Sequence, residues 1–239
     1  METEKASYRK PEGKEGKRLF DNMDKEHTPV SLWSISHINI QENDTVLDIG
    51  CGSGLNVKRL HEKSSKAKTY GIDYSSTSVE TAKTLNREEV KQGSVDIIKA
   101  NVQEMPFEDE RFDIVTAFET VYFWPTIVES FREVKRILKP QGQFCIIMDA
   151  NGIYDDELKE IEKQENCKFY TDEELTIYLK EAGFSKITIY NRKRKNDKLI
   201  IKRFYENKVT EEVVDEDIND NYHEGRLVTP EWLCIISEK

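Results

Sequence analysis

The chain of 239 residues has no long apolar run, and no stretch approaches the ~20 consecutive apolar residues that span a bilayer. Its first residues, METEKASYRK, also lack the apolar segment of a signal peptide. Cysteine is scarce, and the four thiols lie too far apart for a zinc site or a dense disulfide framework: Cys51, Cys145, Cys167 and Cys234. These absences predict a cytoplasmic protein with reduced thiols, without a membrane span and without a metal site.

Basic residues are also in deficit, with 36 lysines and arginines against 46 aspartates and glutamates and a net charge of −10. Proteins whose main partner is a phosphate backbone usually show the opposite balance. The charge balance therefore argues against nucleic acid as the substrate. The hydrophobic fraction of 37% is sufficient for the core of one α/β domain.

Short apolar runs alternate with segments of helical periodicity along most of the chain. Seven runs predict strands, beginning with Val46–Ile49, Thr69–Asp73 and Val95–Ala100. Continuous apolar runs separated by helices indicate a mostly parallel sheet with helices on both faces. The loops that follow the strands then share one edge of the sheet, which is where ligands bind in such folds.

Residues 1–40 precede this pattern and begin as a charged tail. Apolar residues at helical intervals between Lys14 and His37 predict two short helices. Pro29 fits the first turn of the second helix, with Thr28 as its N-cap.

Residues 41–239 form the main domain, in which an insertion at about 194–230 separates the last two strands. The insertion is basic at its start and acidic in its middle. A long insertion between strands is either functional or disordered, so it represents either a solvated charged face or a lid or dimer arm.

The strongest chemical signal is VLDIGCGSG at Val46–Gly54, in which an apolar strand ends in a glycine-rich turn before a helix. Glycine allows unusual dihedrals and lets a ligand lie against bare backbone. The helix N-terminus offers free N–H groups that suit a carboxylate, and Asp48 can attract an amine. The α-amine and carboxylate of an amino acid fit that pair.

The spacing of this loop separates two cofactor classes. A nicotinamide-type fingerprint is G-x-G-x-x-G, whereas the sixth position counted from Gly50 is Leu55 and the pattern here is G-x-G-x-G. Asp73 ends the second strand, 25 residues beyond Asp48, where a carboxylate can accept both hydroxyls of a ribose.

From about Asn43 to Phe184 the chain resembles the class I S-adenosylmethionine-dependent methyltransferases, and among them the group typified by quinone and sterol methyltransferases. Besides the glycine loop, three segments carry the resemblance: KANVQEMPF at Lys99–Phe107, RFDIVTAFETVYFW at Arg111–Trp124 and FREVKRILKPQG at Phe131–Gly142. The chain departs from the usual P-G-G of the family, because Gln141 replaces the first glycine.

The resemblance implies a Rossmann-like, seven-stranded, mostly parallel sheet with helices on both faces and an antiparallel last strand. It also implies S-adenosylmethionine as cofactor, S-adenosylhomocysteine as product, and methyl transfer to a small molecule by in-line displacement. Asn101 matches the position that binds the adenine amine, with the Val102 backbone beside it. The expected cofactor contacts are Asp48, Gly50, Cys51, Gly52, Gly54, Asp73, Tyr74, Asn101, Val102 and Glu119.

The sequence does not single out a catalytic residue, because methyl transfer depends mainly on proximity and orientation. A general base is needed only if the acceptor must lose a proton. Glu119 and Tyr122 are candidates because their loop lies next to the expected methyl position. His27 is a third candidate, since the N-terminal helices often cover the cofactor in this family. All three also have ordinary interpretations in packing or on the surface.

Three classes of function remain open. The first is an active small-molecule methyltransferase that works as a monomer or homodimer. The second is a catalytically silent cofactor-binding partner subunit. The third is another transferase on the same fold that uses an aminopropyl donor, or a nucleotide-binding oxidoreductase. A shared fold does not separate these alternatives.

Overall fold

The computed structural model of the chain describes residues 7–152, 156–193, 198–205, 208–215 and 231–239. The helices are α1 Gly13–His37, α2 Leu55–Lys63, α3 Ser76–Leu85, α4 Arg87–Gln92, α5 Ile127–Ile137, α6 Asp156–Glu165 and α7 Asp172–Glu181. The strands are β1 Val46–Ile49, β2 Thr69–Asp73, β3 Val95–Lys99, β4 Phe112–Phe118, β5 Leu138–Met148, β6 Ser185–Lys193, β7 Lys198–Tyr205, β8 Lys208–Asp215 and β9 Trp232–Glu238.

The described strands form one sheet in the order β3-β2-β1-β4-β5-β9-β6-β7-β8. Neighbouring strands from β3 to β5 pair in parallel, with Asp48 of β1 opposite Gly71 of β2 and Thr116 of β4. The last strand, β9, runs antiparallel between β5 and β6. Because β1, β2 and β4 are parallel, the loops that follow them meet at one edge of the sheet.

The side chains of the strands alternate between two apolar layers, which explains why the runs in the sequence are continuous. In β4, Val115 and Ala117 face α5 and α7, whereas Ile114 and Phe118 face the layer that contains Trp33 of α1. The predicted helices on both faces are therefore confirmed. Among the described helices, none has the length and apolar composition that crossing a bilayer requires.

The predicted count of seven strands is wrong, and so is the expectation of a mostly parallel sheet. The described part of the sheet has nine strands, and its eight ladders divide equally into parallel and antiparallel pairs. The two additional strands, β7 and β8, come from the segment predicted as an insertion. In β8 the valines at 209 and 213 are exposed, so this strand lacks a continuous apolar run, whereas β7 contains a short one at Leu199–Ile201 with Ile201 buried. The remainder of the insertion, 194–197, 206–207 and 216–230, lies outside the described residues, as does the start of the tail, 1–6.

The N-terminal segment forms one helix, α1, instead of the two short helices predicted. Pro29 lies inside it and costs about 3 kcal/mol through a lost N–H and a steric clash. Phe20 before the proline and Trp33 after it are both buried, and burial of each such side chain contributes roughly 1.5–3 kcal/mol. Packing therefore outweighs the local preference. Thr28, the predicted N-cap, donates its hydroxyl to the Asp24 carbonyl instead.

We predict that Gln141→Gly stabilises the protein. Gln141 is exposed and has a φ of +66°, a left-handed conformation that costs a side-chain-bearing residue about 1–2 kcal/mol. Relief of that strain should raise the melting temperature by roughly 2–4 °C, measured by circular dichroism. Gln143→Gly is the control. Gln143 lies in β5 and pairs with both β4 and β9, so glycine at this position should only lower the melting temperature. Equal destabilisation by both changes would contradict the assignment of strain.

Candidate functional site

A cavity of about 200 Å³ lies where the loops after β1, β2 and β4 meet helix α1. One water requires only ~10–15 Å³ of such volume, so the cavity has room for an organic ligand. It lies at the carboxyl edge of the parallel strands, which is the usual ligand position in open α/β sheets.

The glycine loop forms one wall of this cavity at Gly50, Cys51 and Gly52. The N–H groups of Gly50 and Cys51 both donate to the Ile72 carbonyl, at 2.8 and 3.0 Å, and fasten the loop to β2. Gly52 has a φ of +52°, and a Cβ at this position would meet only the Phe20 ring, at 3.8 Å. Gly52 therefore presents bare backbone to the cavity, as predicted for a residue that a ligand approaches closely.

Gly54 does not line the cavity, although the sequence placed it among the cofactor contacts. It is the N-cap of α2 with a φ of +84°, and a Cβ there would lie 2.8 Å from the Ala82 Cα atom and 2.7 Å from Asn86 Nδ2. Its role is to let α2 pack closely against α3.

Asp73 joins the glycine loop to the loop after β2. Its Oδ2 accepts the Gly52 N–H at 3.1 Å, and its Oδ1 accepts the Ser75 N–H at 2.8 Å. Burial raises the pKa of Asp73, and the hydrogen bonds from Ser75 and Gly52 oppose that rise. Each carboxylate oxygen has a further lone pair. Asp73 can therefore shape both loops and still accept hydroxyls from a ligand.

Asp48 lies at the base of the cavity and is only 2% exposed. Burial raises the pKa of its carboxyl to about 7, with a further contribution from nearby Asp73, while the hydrogen bond from Thr116 Oγ1, at 2.8 Å, opposes the rise. A cation close to a carboxylate favours its ionised form. A ligand amine in the cavity would therefore be stabilised by Asp48 and would lower the pKa of that group.

Three further predicted residues line the cavity beside Asp73: Tyr74, Asn101 and Val102. Asn101 Oδ1 accepts the Gln103 N–H at 3.1 Å, and its second lone pair remains for a ligand amine. Val102 is buried, whereas Tyr74 is partly exposed and donates its hydroxyl to the Arg9 carbonyl.

Glu119 lines the cavity from the end of β4, whereas Tyr122 does not reach the wall. The Tyr122 hydroxyl donates to Glu119 Oε2 at 3.2 Å. Burial raises the pKa of Tyr122 well above its ordinary value, and the adjacent Glu119 carboxylate raises it further. Tyr122 is therefore a neutral donor that orients Glu119. Glu119 itself has a φ of +51°, a conformation that is strained for any residue except glycine.

Helix α1 contributes more to the cavity than the single residue predicted from it, His27. Its other lining residues recur at helical spacing: Phe20, Met23, Asp24, Thr28 and Ser31. Three of them bond to the glycine loop or to α2: Ser53 Oγ donates to Asp24 Oδ1 at 2.7 Å, Arg59 to Thr28 Oγ1 at 2.7 Å, and Asn56 to Ser31 Oγ at 3.3 Å. The helical spacing of residues on α1 was visible in the sequence, but the hydrogen-bond partners of α1 in other segments were not.

The segment just before α1 also lies over the cavity, through Tyr8, Arg9 and Pro11. Ser75 Oγ donates to the Pro11 carbonyl at 2.9 Å, and Ser7 Oγ donates to Glu165 Oε2 at 2.7 Å. This placement could not be predicted from the sequence, because the segment has no apolar periodicity.

The thiol at this site is held in its unreactive form. The Cys51 thiol lines the cavity, but burial raises its pKa well above the ordinary value, and the carboxylates of Asp73 and Asp48 raise it further. It is therefore a poor nucleophile, since the thiolate is the reactive form. Within the described ranges, no group of three or more His, Cys, Asp or Glu residues is arranged to hold a metal ion.

Comparisons with known proteins agree with this geometry. A family described as "Methyltransferase domain" matches residues 47–146. The 2-phytyl-1,4-naphtoquinone methyltransferase of Trichormus variabilis is 34% identical over 115 residues, covering 48% of this chain and 50% of that protein. The Bacillus subtilis protein YrhH, whose name is that of a methyltransferase, is 32% identical over 134 residues, covering 56% of this chain and 73% of YrhH.

A solved structure of a SAM-dependent methyltransferase from Thermotoga maritima matches with a TM-score of 0.63 and 19% identity, covering 93% of this chain and 95% of that one. At this identity the similarity shows the fold alone. The chain spans about half the length of the first curated relative, the Trichormus enzyme.

We predict that Asp48→Asn changes how stability depends on pH. The folded-state pKa of Asp48 is about 7 and the ordinary value is 3.8, so the wild type is stabilised by protonation and loses that contribution as pH rises between these values. The loss amounts to as much as about 4 kcal/mol. Urea unfolding across this range should show a smaller loss in Asp48→Asn than in the wild type, because the raised pKa values of Asp24 and Asp73 still contribute to both.

Asp21→Asn, at an exposed position on α1, is the matched control and should follow the wild-type profile. Identical pH profiles for the wild type and Asp48→Asn would contradict the assignment.

Proposed function

Because this chain belongs to the S-adenosylmethionine-dependent methyltransferase family, we propose that it transfers a methyl group from S-adenosylmethionine to a small-molecule acceptor. One observation carries the proposal. A single cavity contains the acidic end of β1, the glycine loop and the acidic end of β2. The acidic end of β1 fits an amine, and the acidic end of β2 fits a pair of ribose hydroxyls. The glycine loop lets the ligand lie against open backbone between them.

The residues on the cavity wall divide naturally among the parts of this cofactor. Asp73 would accept the ribose hydroxyls, while Asn101 and the Val102 backbone would meet the adenine. Gly52 and Asp48 would hold the amino-acid end. When bound, the cofactor supplies an electrophilic methyl group on a sulfonium ion.

The chain itself supplies position and shielding. Helix α1 and residues 8–11 form the cover of the cavity, so water is excluded when a ligand fills it. Phe123 and Trp124 also line the cavity, and aromatic faces attract cations such as a sulfonium. Glu119 and His27 are the groups placed to accept a proton from an acceptor that must lose one.

A small organic acceptor agrees with the charge of the site and with the relatives. The cavity wall carries four carboxylates, from Asp24, Asp48, Asp73 and Glu119, and would repel a phosphate backbone. The name of the Trichormus relative describes a naphthoquinone as the methylated molecule. The same type of acceptor, a neutral organic ring compound, is the first to screen with this chain.

We further propose that residues 1–40 act as the cover and residues 41–239 as the methyltransferase domain. A cytoplasmic location and a monomeric or homodimeric state belong to the same proposal. The four cysteines are free thiols, as suits a reducing compartment.

The binding claim is tested with two matched glycine variants. Both Gly52 and Gly93 have positive φ values, +52° and +78°, so Gly52→Val and Gly93→Val introduce similar backbone strain. Only Gly52 lines the cavity, and a Cβ at Gly93 meets nothing within 4 Å. We expect calorimetric titration to show that Gly52→Val abolishes S-adenosylhomocysteine binding and that Gly93→Val retains it.

The activity claim is tested by measuring S-adenosylhomocysteine formation with a panel of quinone and sterol acceptors. We expect turnover with at least one of them, and no heat of binding with NAD. A wild-type chain that binds NAD but not S-adenosylhomocysteine would overturn the proposal.

A further inference from the structure

Arg59 is a positive charge on the cavity wall that the contacts above leave without a ligand-binding role. It lies in α2, shortly after the glycine loop, and is half-buried. Its Nη1 donates to Asn56 Oδ1 at 2.8 Å, and its Nη2 donates to Thr28 Oγ1 at 2.7 Å. Both acceptors are neutral. A guanidinium has more N–H donors than these two bonds use, so Arg59 retains donors for a ligand.

No carboxylate of the described residues forms an ion pair with this guanidinium. Burial lowers the pKa of Arg59, and the charges of the Asp24 and Glu62 carboxylates oppose the shift. A half-buried charge is unfavourable unless an anion is close to it. A ligand anion that enters the cavity would therefore be the first to form a close ion pair with Arg59.

The surrounding charges restrict which anion this can be. Arg59 shares the cavity with the carboxylates of Asp24, Asp48 and Asp73, which repel a phosphate-rich ligand. A zwitterion that carries one carboxylate and one amine suits this arrangement. Asp48 precedes the glycine loop and Arg59 follows it, so the two opposite charges belong to the two elements that the loop joins.

We propose that Arg59 binds the carboxylate of the cofactor's amino-acid end, an inference that rests on the proposed function. The planar guanidinium can pair with a carboxylate through two parallel hydrogen bonds. Because Nη2 of Arg59 also holds Thr28, the same side chain links the bound carboxylate to helix α1. Arg59 thus couples occupation of the cavity to the position of its cover.

Three ligands separate the carboxylate from the rest of the cofactor. S-adenosylhomocysteine carries the amine and the carboxylate, its decarboxylated analogue carries the amine alone, and 5′-methylthioadenosine carries neither. In calorimetric titrations, Arg59→Gln should weaken S-adenosylhomocysteine binding by about ten- to a hundred-fold. The affinities of the other two ligands should fall much less, because they lose only the bond between Arg59 and Thr28.

Two further variants control for charge and for folding. Lys58→Gln removes a positive charge from the neighbouring position of α2, which does not line the cavity, and should bind all three ligands as the wild type does. Arg59→Lys keeps the charge without the planar fork and should recover part of the affinity for S-adenosylhomocysteine. If Arg59→Gln does not fold, Arg59→Lys decides the question, because it must lose more affinity for S-adenosylhomocysteine than for the decarboxylated analogue.

Two results would overturn the inference and leave the proposed function intact. One is equal weakening of all three ligands, which would show that Arg59 only supports the cavity wall. The other is an unchanged affinity of both Arg59 variants for S-adenosylhomocysteine. Failure of the wild type to bind any of the three ligands would overturn the proposed function together with the inference.

Discussion

The Asp73 carboxylate holds together the part of the molecule on which the cavity depends. One oxygen accepts the N–H of Gly52 and the other accepts the N–H of Ser75, so a single group fixes the loops after β1 and β2. Without such donors, an ionised carboxylate in this buried position would be unfavourable. Because the first loop leads directly into α2, Asp73 also helps to hold the start of the helix that carries Arg59.

Charge in the cavity is unbalanced in a way that a zwitterionic cofactor would correct. Asp48 is buried beside Asp73, and their mutual repulsion and burial both favour the protonated form of Asp48. On the other side of the glycine loop, Arg59 has only neutral hydrogen-bond partners. A ligand amine would favour the ionised form of Asp48, and a ligand carboxylate would give Arg59 a close anionic partner, so a zwitterion suits both groups.

Local features of the fold could be predicted from the sequence, whereas contacts between distant segments could not. The glycine loop and Asp73 were found because backbone freedom and a strand-end carboxylate are properties of short segments. The continuity of α1 through Pro29 was missed, because burial on both sides of the proline decides it. The bond between Arg59 and Thr28 joins residues 31 positions apart, and no sequence period reveals such a pair.

The family resemblance predicted from the motifs is confirmed, and the structure shows how the matched residues 47–146 are arranged around one cavity. The most direct test is a crystal structure with S-adenosylhomocysteine. We expect the ribose hydroxyls on Asp73, the amine near Asp48 and the carboxylate on Arg59. S-adenosylhomocysteine bound outside this cavity, or with its ribose away from Asp73, would contradict the account.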